Sequence, residues 1–295
     1  MASELWTVRR ILDWTCGYLE RKGDEHPRLS AEWLLSDATG LSRVELYMNF
    51  DRPLVPAELD LMREGVRRRG AGEPLQYVTG EMPFRHIVLC CERGVLIPRP
   101  ETEVLVDAAL EGVDAAVGRT SFVRVLEVGT GTGCIACSIA GERENALVIA
   151  TDLAPEAAVL ARRNADALGL GGRVDVVECD LVADVADELM GTFDVLVSNP
   201  PYIPSDVVSI LPIEVRGFEP GLALDGGEDG LDVFRRILDV APKALVPGGM
   251  LCVELFEENV CDAADLVRDQ GGWAQVEVRE DLTHRPRVLV AIREP

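Results

Sequence analysis

Val123-Arg124-Val125-Leu126-Glu127-Val128-Gly129-Thr130-Gly131-Thr132-Gly133 is the stretch that decides the fold. An apolar, β-branched run of strand length leads directly into three glycines spaced G-x-G-x-G, and these into the small apolar residues Cys134-Ile135-Ala136-Cys137 of a helix. Glycine lets the backbone pass close to a ligand where a Cβ would clash. A strand, a glycine turn and a helix in this order open a doubly wound α/β sheet that holds a nucleoside cofactor. Dinucleotide enzymes also use glycine turns, but with the spacing G-x-G-x-x-G and a third glycine placed for helix packing under a pyrophosphate. The spacing here favours S-adenosyl-L-methionine.

Outward from that turn, strands alternate with helices. The predicted strands after Val123–Val128 are Leu147–Thr151, Val174–Val177, Phe193–Ser198 and Met250–Leu255, closed by a late pair near Ala274–Val278 and Arg287–Ala291. A C-terminal hairpin of this kind suits a seven-stranded methyltransferase sheet better than a nicotinamide-binding one. Asp152 ends the second strand, where a carboxylate can accept both ribose hydroxyls; its plainer role is capping the helix that opens at Pro155. Asp180 ends the third strand, where adenine would lie, and is either an acceptor for the N6 amino group or a surface aspartate. The expected cofactor set is Glu127 (toward the methionyl end), Gly129, Thr130, Gly131, Thr132, Gly133, Asp152, Asp180 and Asn199.

The chemistry is written in Asn199-Pro200-Pro201-Tyr202, which follows the fourth strand. The Asn side chain and the Pro200 carbonyl give two acceptors aimed at one spot, and the prolines freeze the backbone between them. A planar Tyr202 ring can lie over a flat group. Such a site grips both N–H bonds of a planar NH₂ and leaves the nitrogen lone pair facing forward. Beside a sulfonium methyl donor, this predicts methyl transfer to an amide or exocyclic amino nitrogen. Asn199, Pro200 and Tyr202 are the expected catalytic residues; with Pro201 they form the expected substrate-binding set. No metal is expected.

The 295-residue chain is long enough for one large domain and a small one, with 47% hydrophobic and 27% charged residues. Neither a signal peptide nor a membrane-spanning run is visible, which predicts a cytoplasmic protein with no membrane partner. A formal charge of −22 repels polyanions, so a nucleic-acid substrate (adenine N6 or guanine N2) is the weaker reading of the same chemistry. Arg67-Arg68-Arg69 reads as a solvated helix end. The eight cysteines read as free thiols of a reducing compartment; Cys134 and Cys137 have metal spacing, yet no second pair or nearby His completes a set. None of the three histidines has a neighbouring carboxylate or Ser that suggests a triad.

Residues 1–71 read as several short amphipathic helices, including one starting after Ser30 and one opening on Pro56. Gly70-Ala71-Gly72-Glu73-Pro74 breaks the pattern. Residues 72–97 read as a linker with a β-hairpin built from Tyr77-Val78-Thr79 and Ile87-Val88-Leu89, and residues 98–295 as the catalytic domain.

Across this order the chain resembles the HemK/PrmC family, the protein-(glutamine-N5) methyltransferases of peptide chain release factors. The resemblance rests on Gly72-Glu73-Pro74-Leu75-Gln76-Tyr77-Val78-Thr79-Gly80, Leu96-Ile97-Pro98-Arg99-Pro100-Glu101-Thr102-Glu103, the glycine turn and Val197-Ser198-Asn199-Pro200-Pro201-Tyr202-Ile203. Glu214-Val215, Glu219-Pro220, Ala223-Leu224-Asp225-Gly226-Gly227, Asp229-Gly230-Leu231-Asp232, Asp281-Leu282 and Arg287-Val288 continue it. It implies an α/β fold: a seven-stranded Rossmann-like class I S-adenosylmethionine-dependent methyltransferase domain with an N-terminal helical bundle that helps dock the substrate. It also implies that the substrate is the glutamine of the Gly-Gly-Gln loop of a class I release factor, with no direct nucleic-acid partner; a monomer is expected. One departure stands out. Where the family usually runs Glu-Ile-Gly after the fifth strand, this chain has Glu254-Leu255-Phe256-Glu257-Glu258.

Overall fold

The computed structural model describes residues 5–295, which divide into two compact units: the described residues up to Glu81 together with Pro212–Phe218, and Met82–Leu211 together with Glu219–Pro295.

The first unit is helical: α1 (Val8–Arg21), α2 (Pro27–Thr39), α3 (Arg43–Met48), α4 (Pro56–Arg69) and α5 (Leu75–Thr79). Local chemistry sets the starts. The Thr7 hydroxyl accepts the Arg10 N–H at 3.4 Å, Ser42 and Glu45 form a reciprocal capping box, and Pro27 and Pro56 occupy the first turns of α2 and α4. Proline preset the start of α2 three residues earlier than the expected Ser30, which is buried within the helix. Leu12, Leu19, Leu34, Leu35, Leu46 and Met62 fill the core.

The arginine run at the end of α4 is only partly a solvated end. Arg67 pairs with Glu64 on the surface, and Arg68 makes a bidentate bond to the buried Glu73. Arg69 is buried: its side chain, 9% exposed, reaches Asp24 (4% exposed) at 2.7 Å. Tyr77-Val78-Thr79, expected as a strand, lies in α5, which Gly80 stops in the left-handed conformation. The hairpin follows as β1 (Glu81–Phe84) and β2 (Ile87–Cys90).

The second unit then runs α6 (Thr102–Ala116), β3 (Val123–Val128), α7 (Cys134–Glu142), β4 (Ala146–Asp152), α8 (Pro155–Ala167), β5 (Val174–Glu178) and β6 (Phe193–Ser198). After the short α9 (Ser205–Val208) and α10 (Ile213–Arg216, grouped with the first unit) come α11 (Asp232–Ala244), β7 (Leu245–Glu254), α12 (Val260–Gln270), β8 (Trp273–Glu280) and β9 (Pro286–Arg293). The seven strands lie in the order β5-β4-β3-β6-β7-β9-β8, with β9 antiparallel to both neighbours and the rest parallel. Alternate residues serve opposite faces. Val125, Val195 and Val197 pack under α6 and α7, while Leu126 and Leu196 pack under α11 and α12. Covered on both sides, β6 is buried along its whole length.

Removing one partner of a buried ion pair leaves the other charge uncompensated, at about 3–5 kcal/mol. Arg69→Ala is therefore expected to weaken the helical unit by that order in urea unfolding followed by the fluorescence of Trp6, Trp14 and Trp33. Arg63→Ala, whose pair with Asp60 is 71% exposed on both sides, should cost less than about 1 kcal/mol.

Candidate active site

From β3 the chain moves outward through β4 and β5, then returns to lay β6 on the other side of β3. Such a reversal opens a crevice at the carboxyl ends of the two central strands. The glycine turn leaves β3 and the Asn-Pro-Pro-Tyr turn leaves β6 at this place, and a cavity of about 230 Å³ is lined there by Gly129, Gly131, Asp152, Asp180, Asn199 and Pro200. A second depression of about 220 Å³, between Arg124 and Arg173, sits at the opposite ends of the strands and holds none of the expected site residues.

The glycine turn is pinned from below. The Gly129 and Thr130 N–H groups donate to the Thr151 carbonyl at 2.8 and 2.9 Å. Gly129 and Gly131 have φ of +76° and +57°, and a Cβ on Gly129 would meet no protein atom within 4 Å, only the cavity space. Glu127 lies beneath this turn, fully buried. Its Oε2 accepts from the Thr130 hydroxyl at 2.8 Å and from the Ala136 N–H at 3.1 Å, while Oε1 has no hydrogen-bond partner among the described residues. Burial pushes its carboxyl up to about 8, although those two hydrogen bonds pull the other way. Glu127 thus braces the turn and does not line the cavity. Thr130 and Thr132, 3% and 2% exposed, and Gly133, which caps α7, are likewise outside the lining. These four were expected to touch the cofactor; in the structure Glu127 and Thr130 bond to each other behind the turn.

Asp152, expected at the ribose, lines the cavity. Its Oδ2 accepts the Gly131 N–H at 2.8 Å and its Oδ1 the Ala154 N–H at 2.9 Å, which orients the carboxylate and leaves each oxygen acceptor capacity toward the cavity. Burial raises its pKa, and these backbone bonds oppose the rise. The Asp180 Oδ2 pairs with Arg236 of α11 at 2.7 Å, and both residues line the cavity. Leu153 and Leu181 supply the apolar wall beside it.

On the β6 side, the Asn199 Nδ2 donates to the Thr102 Oγ1 at 3.1 Å. With its NH₂ so engaged, the amide presents Oδ1 as an acceptor. Pro200 is buried and lines the cavity with Asn199 and Pro201. Tyr202 lies one step back: its hydroxyl donates to Glu254 Oε1 at 3.3 Å, and its ring stacks on Phe256 with centroids 6.5 Å apart and planes 11° from parallel. Burial, and then the Glu254 charge, raise the Tyr202 pKa, so the phenol stays protonated. The glycine segment after α10 holds this turn from outside. A Cβ on Gly226 would come within 2.8 Å of the Pro201 carbonyl oxygen, and one on Gly230 within 2.3 Å of the Tyr202 carbonyl oxygen. Asn259 adds donors to the Tyr202 and Asp229 carbonyls at 3.4 and 3.3 Å.

Two family models match the chain: the PrmC N-terminal domain over residues 10–80 and the methyltransferase small domain over residues 107–210. The release factor glutamine methyltransferase of Geobacter sulfurreducens is 48% identical over 252 residues, covering 85% of each chain. That of Chlorobaculum tepidum is 40% identical over 288 residues, covering 97% of each. The chain belongs to the release factor glutamine methyltransferase family. It is a methyltransferase, and S-adenosylmethionine is its methyl donor. Among solved structures, the catalytic domain of hMettl16 in complex with a MAT2A 3′UTR hairpin matches with a TM-score of 0.56 at 15% identity over 81% of each chain, a likeness of fold.

Within this family framework, sequence reading missed Thr102, Arg236, Glu254, Phe256 and Asn259. Thr102 was in view as part of the Pro98–Glu103 stretch, but only the fold brings it to Asn199. Phe256 is the departure from the family pattern, and its ring is what covers Tyr202.

Gly230 has φ of +76°, so Gly230→Ala adds both backbone strain and a clash with the Asn-Pro-Pro-Tyr turn. Its expected effect is a fall in methyl-transfer kcat larger than its effect on cofactor Kd, read by steady-state kinetics beside calorimetric titration. For Glu127 the folded pKa lies above the unfolded one, so its contribution to stability is complete below about pH 4.5 and is lost as pH rises toward about 8. Thermal melts of Glu127→Gln against the parent should show the variant gaining relative stability across that window; an unchanged difference would contradict the buried assignment.

Proposed function

We propose that this enzyme transfers the methyl group of S-adenosylmethionine to the side-chain amide nitrogen (N5) of the glutamine in the Gly-Gly-Gln motif of class I peptide chain release factors. The observation that carries this reading is the orientation of Asn199. Thr102 takes its NH₂, so Oδ1 stands as an acceptor beside Pro200 at the cavity that the glycine turn and Asp152 complete.

A glutamine amide is a poor nucleophile because its lone pair is delocalised into its carbonyl. Asn199 Oδ1 and the Pro200 carbonyl would each accept one N–H of that amide. Both acceptors gain strength as positive charge develops on nitrogen, so they favour the transition state over the bound substrate. The proline turn allows them little reorganisation, and Tyr202, held by Glu254 and Phe256, backs the turn that carries them. Asp152 and the glycine turn would hold the cofactor, whose sulfonium would supply the electrophilic methyl. A strong base is not needed before attack, since an N-methylated amide cation loses its proton readily. The −22 charge also disfavours a nucleic-acid polyanion as the acceptor.

The test uses tritiated S-adenosylmethionine with a recombinant release factor, and tRNA and duplex DNA in parallel. Label should appear on the release factor and vanish when its Gly-Gly-Gln glutamine is changed to Ala. Label on nucleic acid alone would overturn the proposal. Asn199→Ala should lower kcat by about 10²–10³ while cofactor Kd changes far less.

A further inference from the structure

Asn199, Thr102, Tyr202 and Glu254 come from four places: the exit of β6, the first turn of α6, the proline turn and the end of β7. They meet in a row. Asn199 Nδ2 donates to Thr102 Oγ1, and Tyr202 Oη donates to Glu254 Oε1. Thr102 and Glu254 are 2% and 1% exposed; no hydrogen bond joins them as the side chains stand, and the threonine hydroxyl lies where it favours the charged form of the carboxyl. Glu254 Oε2 is buried and has no hydrogen-bond partner among the described residues, which leaves it open to the Thr102 hydroxyl. A hydroxyl that accepts from Asn199 has exactly one proton of its own to give.

The two ends of an Asn amide are nearly equal in size, so packing alone does not choose which faces the substrate. The polarity of the partners does. We propose that Thr102 and Glu254 are positioning residues for methyl transfer, in which an ionised Glu254 accepts from both Thr102 and Tyr202 and so obliges Asn199 to turn its NH₂ inward and its Oδ1 toward the substrate amide. A protonated Glu254 becomes a donor. Thr102 then accepts from Glu254 with one lone pair, its own proton is released for Asn199 Oδ1, and the amide is free to turn over and set an NH₂ against the substrate NH₂.

The groups around Glu254 define the pH at which this reversal occurs. Thr102 and Glu101 face it from the start of α6, Tyr202 from the proline turn, Arg287 from β9, and the neutral, buried Cys134 thiol from α7. Burial pushes the Glu254 carboxyl up to about 7, and Glu101 adds to the rise. Thr102, Arg287 and Tyr202 oppose it. The productive polarity is thus present above about pH 7 and lost below it.

The kinetic arm of the test rests on the glutamine-methylation reading. Single-turnover transfer to the release factor, from about pH 5.5 to about 8.5, should slow as pH falls through the Glu254 midpoint. Glu254→Gln should be slow and lack that acid limb. Thr102→Val should slow transfer by roughly tenfold or more with cofactor Kd little changed, and Thr102→Ser should restore most of the rate. A second arm needs no acceptor substrate. In the cofactor-bound protein, the ¹⁵N side-chain signal of Asn199, assigned by its loss in Asn199→Ala, should titrate with the same midpoint in the parent and not in Glu254→Gln or Thr102→Val. An acid limb that survives in Glu254→Gln, a Thr102→Val variant with the parent rate, or an Asn199 signal indifferent to pH would each overturn the proposal. Absence of transfer to the release factor at every pH would instead defeat the substrate reading, and the Asn199 titration would still decide the relay.

Discussion

Val128 of β3 and Ser198 of β6 lie side by side in register, and the Ser198 hydroxyl donates to the Val128 carbonyl at 2.7 Å. Both strands end at that point. Whatever follows them, a glycine turn on one and an Asn-Pro-Pro-Tyr turn on the other, must emerge as neighbours. The rest of the site depends on this single constraint. A register shift of one residue would send the buried valines and leucines of both strands to the wrong faces, so the core on each side enforces it. Residues far apart in the chain are thereby held with the precision of adjacent strands.

Behind the residues that line the cavity stands a layer of buried polar groups. Glu127 and Glu254 each sit at the carboxyl end of a strand, each almost without solvent exposure, and each has its pKa raised chiefly by that burial. Neither lines the cavity. Glu127 ties the glycine turn to the start of α7, and Glu254 accepts from the Tyr202 hydroxyl. Groups buried at such desolvation cost make sense where orientation of a reacting partner outweighs local stability. The Phe256 departure belongs to the same layer, since its ring stacks on the face of Tyr202.

The glycines after α10 show the same economy of approach. Gly226 and Gly230 let two backbone segments come closer to the proline turn than any side chain would permit, and Asn259 bridges the segments with its amide. The turn is therefore rigid for two reasons, its own prolines and the backbone packed against it.

The strand pattern, the glycine turn and the Asn-Pro-Pro-Tyr motif were legible in the sequence because each is a local property: periodicity, φ freedom and ring-fixed backbone. All seven strands of the main sheet were found to within a few residues, except that β7 begins five residues earlier than expected. The misreadings were also local in origin. Tyr77-Val78-Thr79 has strand composition, yet Pro74 and Gly80 bracket a single helical turn there. Arg69 looked like its two neighbours in the run, and only the position of Asp24 shows that it is buried. Sequence alone determined which residues can bend, bind or accept. The tertiary structure decided which of them face the cavity. Glu127 and Thr130 bond to each other behind the turn and Asp180 pairs with Arg236, while Thr102 and Glu254 bond to partners about 97 and 52 residues away along the chain. No local pattern encodes such contacts, because strand order and register, which bring them together, are properties of the whole sheet.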